Sequence, residues 1–201
     1  MTRNVCRRLG GWAGLALGLW LATAGTKPAE AADPDKIKEA SAILPKLAAA
    51  IEKKDAAETK KLINALKSKD TDAIMAALGL RSLGGVGWGP KPAATKNKDG
   101  IEKMLEELGK KPLTAKQFDA EAENILKAAH LIQAINEVTI VQAPEKDQGQ
   151  KKKKIWVESA NELKKAADDL IAAAAKKDVA GTTKAINLAN TACQKCHSDW
   201  R

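Results

Sequence analysis

The sequence predicts an all-α protein, with helices packed on helices. Three observations carry that expectation. The 201 residues are rich in Ala, Lys, Leu and Glu, which favour helix, and only 3% are aromatic. No long run of Val, Ile, Thr or Tyr is available to build a sheet. From residue 34 onward, apolar residues recur at steps of three and four, the period of a helix with one buried face.

Residues 1–31 stand apart from this pattern. Arg3, Arg7 and Arg8 precede an apolar run from Leu9 to Ala24, and Ala29-Glu30-Ala31 supplies a small-x-small site. Together these read as a secretory signal peptide cleaved after Ala31. The apolar run is slightly short for a retained membrane anchor. Cys6 precedes the run, where a lipoprotein cysteine cannot be. The expected destination is the bacterial periplasm, with no stable membrane span after cleavage.

The whole chain carries a net charge of +9. Removing the leader takes away Arg3, Arg7, Arg8, Lys27 and Glu30, which leaves +6. That mild excess is spread along the chain, with no basic patch interleaved with aromatics. Nucleic acid is therefore not an expected partner, whereas an acidic protein is.

Residues 32–78 read as an N-terminal helical hairpin. Asp33-Pro34 is an N-cap followed by proline at the first helical position. Ile37, Ala40, Leu44, Leu47 and Ile51 then form one stripe, which Pro45 is expected to kink or divide. Asp55 with Glu58 reads as a capping box. It opens a second helix through Leu62, Ile63 and Leu66, with a pattern that continues past Asp70 to Ile74, Met75 and Leu78.

Residues 79–98 form a Gly/Pro-rich loop around Trp88. Central helices follow over 99–142. The first is short, Ile101 to Leu108, bounded by Asp99 and Gly109. The second is long, beginning after Thr114, with Phe118, Ala122, Ile125, Ala129 and Ile132 on one face. A polar linker, 143–150, leads to a C-terminal hairpin over 151–201. Lys151 to Lys154 reads as its solvated start. The first arm carries Trp156, Ala160, Leu163, Ala167, Leu170 and Ala174, and Asp178 caps the last helix.

A shift of 123 positions exposes an internal repeat. Residues 47–64 (LAAAIEKKDAAETKKLIN) match 170–187 (LIAAAAKKDVAGTTKAIN) at eleven of eighteen positions without a gap. The Lys-Lys-Asp turn and the Ile-Asn pair are shared, as a duplicated helical hairpin would require.

The chemical signal lies at the end: Cys193-Gln194-Lys195-Cys196-His197. C-x-x-C-H is the spacing for covalent haem attachment, in which two thiols add to the vinyl groups and the adjacent imidazole ligates iron. Residues three and four apart share a helix face. The motif continues the stripe Val179, Thr182, Ile186, Ala189, Cys193, Cys196 and Trp200. The rival chemistries fit less well. A thioredoxin-type site needs a strand–helix context. A zinc site needs four ligands, and beyond Cys193, Cys196 and His197 only His130 remains. A disulfide across one helical turn would be strained.

With this motif at the extreme C-terminus of an Ala/Lys-rich helical chain, the sequence resembles the class II c-type cytochromes, the cytochrome c′ family. The ending Cys-Gln-Lys-Cys-His-Ser-Asp-Trp-Arg follows that family's pattern, with Trp200 in place of the usual Tyr. The resemblance covers about the last fifty residues. It implies an antiparallel four-helix bundle with one covalent haem c. Here the N-terminal hairpin and the Gly/Pro-rich loop would be additional elements. It also implies His197 as proximal ligand and Arg201 at the haem edge or a propionate.

Function then turns on the sixth ligand. His130, Met75 and Met104 are the candidates. His130 sits a quarter turn or more off the Phe118–Ile132 stripe. Met75 lies where the first repeat matches the haem motif, with Asp70, Ala73 and Ile74 in place of Cys193, Cys196 and His197. Met104 lies on the short helix. A second strong ligand makes an electron carrier; an open position makes a receptor for nitric oxide or carbon monoxide. No nucleophile–base pair or carboxylate dyad suggests an enzyme. The expected partners are a redox protein of acidic character and, as a candidate assembly, a second copy of the chain.

Overall fold

The computed structural model describes residues 32–91, 99–147 and 152–200, with side chains to Ser198. The expected signal peptide, Lys151 and Arg201 lie outside the described residues. Seven α-helices form among the described residues. They are α1 Pro34–Glu52, α2 Ala56–Lys67, α3 Thr71–Ala76, α4 Ile101–Gly109, α5 Ala115–Val141, α6 Lys153–Ala175 and α7 Val179–Trp200. The expected all-α helical bundle is what the chain forms.

The long helices stack in sequence: α7 on α6, α6 on α5 and α5 on α1. The short ones fill the flanks, α2 and α3 against α1 and α4 against α7. The stripes read from the sequence become the core. Leu44, Leu47, Ile125, Ile132, Leu170 and Ile186 are all fully buried in it.

Of the two outcomes expected at Pro45, division does not occur: α1 runs unbroken to Glu52. Pro45 is exposed, so water can serve the Ser41 carbonyl that loses its helical donor. The second helix does not continue past Asp70. It stops at Lys67, and the Asp70 carboxylate accepts from Asp72 N–H to start α3 as a separate helix. Gln142, at the end of α5, holds that break by donating to the carbonyls of Leu66, Lys67 and Lys69. The expected capping box at Asp55 is half made. Asp55 accepts from Glu58 N–H, but Glu58 turns its own carboxylate to Lys61.

The glycine-rich loop is anchored at both ends. Leu80 and Gly100 form an antiparallel bridge, and Val86 N–H donates to the Ala77 carbonyl at 2.8 Å. Asp99, expected only to bound α4, is buried and turned inward. It accepts from Trp88 N–H and pairs with Arg81 at 3.4 Å. Arg81 in turn donates to the Gly89 carbonyl. Gly87 has φ +77°, and a Cβ there would strike the Arg81 guanidinium, so the knot needs glycine at that position.

Candidate haem site

The last helix carries the motif because its own stripe leads there. Thr182, Ile186 and Ala189 are buried against the core, and Cys193 and Cys196 extend the same face. Two ties fix the end of α7. Lys195 binds Glu162 of α6 at 2.6 Å, and Asn190 donates to the Leu105 carbonyl of α4 at 3.0 Å.

Cys193, Cys196 and His197 then line one enclosed pocket. The other walls are Met75 from α3 and Leu78 just past its end, Ile132 and Ile135 from α5, Ala160 and Leu163 from α6, and Glu102 from α4. Thr139 and Ser159 complete it. An open groove of about 270 Å³ adjoins on the α4 side and is shared by Cys193, His197 and Glu102.

The enclosed pocket itself measures only about 30 Å³, so the assignment rests on the donor set rather than on the void. Two thiols and an imidazole on one apolar-walled face suit covalent haem. The Ser159 hydroxyl gives an independent sign: its residue is 1% exposed, and its oxygen has no hydrogen-bond partner among the described residues. A buried orphan hydroxyl in a pocket wall is compatible with a group bound there. These residues therefore fit a haem held by Cys193, Cys196 and His197.

No disulfide joins the two thiols. Burial pushes the Cys193 thiol up to about 12, and the Glu102 carboxylate and Cys196 add to the effect. The thiol therefore stays protonated at neutral pH.

The candidate sixth ligands separate clearly. Met75 lines the pocket with His197. His130 does not; it lies partly buried on α5, with Nδ1 lacking a partner among the described residues. Met104 packs against the core from α4, outside the pocket. Trp88 is buried against α5, its Nε1 donating to Glu121 at 2.8 Å, so it anchors the loop and does not line the pocket. Arg201 and the Trp200 side chain lie outside the described residues.

Sequence reasoning missed Ser159 and Glu102. Ser159 left a signal: it falls three residues after Trp156, a hydroxyl at the edge of an apolar stripe. Glu102 left none, because only the docking of α4 on α7 brings it to the thiols.

No curated protein and no solved structure matches the chain. A family model described as cytochrome c′ matches residues 93–201. That span takes in α4 to α7 and the whole C-x-x-C-H motif, and it exceeds half of the chain. The sequence motif, the helical bundle and this match agree, and the chain belongs to the cytochrome c′ family.

Proposed function

We propose that this chain is an exported, monohaem c-type cytochrome that carries electrons. Cys193 and Cys196 would hold the haem as thioethers, and His197 and Met75 would ligate its iron. When bound, the haem supplies an iron that takes up and releases one electron. The chain's own residues prepare that exchange. The two thiols would fix the position of the group, and the His197 imidazole and the Met75 thioether would both be offered to its iron. Leu78, Ile132, Ile135 and Leu163 keep water from the iron, which limits the rearrangement that accompanies a change of charge.

The observation that carries this reading is that Met75 and His197 line one pocket. With His197 and Met75 both engaged, small gases would find no vacancy, and electron exchange with a partner would remain. The charge of +6 after loss of residues 1–31 suits an acidic redox protein as that partner. The leader pattern supports the periplasm as the site of that exchange. No enzymatic turnover is assigned, and a homodimer is compatible with this role.

A second reading is favoured by the apolar wall of the same pocket: five-coordinate iron binding nitric oxide or carbon monoxide. Optical spectra of the haem-loaded protein, oxidised and dithionite-reduced, before and after carbon monoxide, decide between them. The expected result is a sharp low-spin reduced spectrum that carbon monoxide leaves unmoved. A broad high-spin spectrum that shifts with carbon monoxide would replace electron carriage with gas binding.

A further inference from the structure

We propose that Glu102 is a positioning residue whose carboxylate stabilises the ferric state and so sets the reduction potential of the haem carried on Cys193 and Cys196. This rests on the haem reading above and extends it to a residue of α4. Helix α4 is pressed against α7. Asn190 bonds the Leu105 carbonyl, and Gly109 sits where a Cβ would crowd Asn187 and Asn190. That docking carries the first turn of α4 to the thiols. Glu102 lines both the enclosed pocket with Cys193, Cys196, His197 and Met75 and the outer groove with Cys193 and His197.

Glu102 is the one carboxylate among the residues lining the enclosed pocket; the others offer carbon, sulfur, hydroxyl or imidazole. Nearby lysines do not offset it. Lys103 is held by Glu106 and Glu107 at 2.7 and 3.6 Å, Lys110 by Glu107 and Glu106 at 2.7 and 3.5 Å, and Lys195 by Glu162. No cation lies within ion-pair distance of Glu102 among the described residues. Its charge already reaches the site, since it helps to push the Cys193 thiol up. Glu102 is exposed on the groove side, and a negative charge beside the bound group would favour the more positive iron. Solvent on the groove side makes the effect depend on salt.

The test is the midpoint potential of haem-loaded wild type, Glu102→Gln, Glu102→Lys and Glu102→Asp, each at low and high ionic strength. We expect Gln to move the potential to more positive values and Lys to move it further. Both shifts should shrink with added salt, with Asp staying near wild type. Unchanged potentials in Gln and Lys variants that still carry covalent haem would overturn this inference and leave the haem reading standing. A wild-type protein without covalent haem would overturn both.

Discussion

Lys54 and Lys177 share one backbone conformation: both have φ +56°, the left-handed region, and both close a helix in the same way. Asp55 N–H reaches back to the Ala50 carbonyl at 2.9 Å, and Asp178 N–H reaches Ala173 at 2.9 Å. Helix α1 ends at Glu52 and α6 at Ala175; α2 opens at Ala56 and α7 at Val179. Every one of these pairs is offset by the 123 positions of the sequence repeat. The first copy breaks at Asp70, and just past that break it contributes Met75, while the unbroken second copy contributes His197.

Non-glycine residues in the left-handed region are strained, so glycine should relieve these turns. We expect Lys177→Gly to raise stability by up to about 1 kcal/mol, net of glycine's extra chain entropy. Lys54→Gly should do the same, and the two should add. Lys177→Val should lower stability. Thermal melts of the haem-loaded protein measure all four variants.

The turns were legible in the sequence because their causes are local: a Lys-Lys-Asp run, a cap and a stripe on either side. The core faces of α5, α6 and α7 were legible for the same reason. The break between α2 and α3 was not, since Gln142, 72 residues beyond Asp70, supplies donors to the freed carbonyls. Nor could the pattern reveal that Asp99 turns inward to Arg81 or that Glu102 reaches the thiols. Those placements follow from how the loop folds on itself and how α4 docks, which no periodicity records. The three motif residues themselves were plain, because chemistry fixes their spacing. Met75 stood level with His130 until the fold separated them.

Asp99 holds the glycine-rich loop together. Asp99→Ala leaves Arg81 without its ion pair and Trp88 N–H without this acceptor. We expect a loss of about 2–3 kcal/mol in denaturant unfolding, with little change in the visible spectrum of the haem.

Cys193 gives the chain without haem a distinctive pH dependence. The thiol is raised in the folded state from an ordinary 9.0 to about 12. Its stabilising contribution is therefore complete below pH 9.0 and is lost as pH rises toward 12, because the unfolded chain releases the proton first. Chain expressed without haem attachment should lose stability over that window, and Cys193→Ser should flatten the loss. Haem-loaded protein should lack this component altogether, since a thioether sulfur would carry no proton. Denaturant midpoints at stepped pH values provide the check.

Met75 and His130 make opposite predictions. Met75→Ala should open the sixth position, turning the reduced spectrum high-spin and making it responsive to carbon monoxide. His130→Ala should leave the low-spin spectrum in place, because that side chain lies outside the pocket. Optical titration with carbon monoxide distinguishes the two variants.

The most direct measurement is the mass of the purified protein after complete denaturation, for wild type and for Cys193→Ala with Cys196→Ala. We predict one haem added to the wild-type mass and none surviving denaturation in the double variant. A wild-type mass with no haem, or haem that stays attached when both thiols are gone, would contradict the assignment of Cys193 and Cys196 as the covalent anchors.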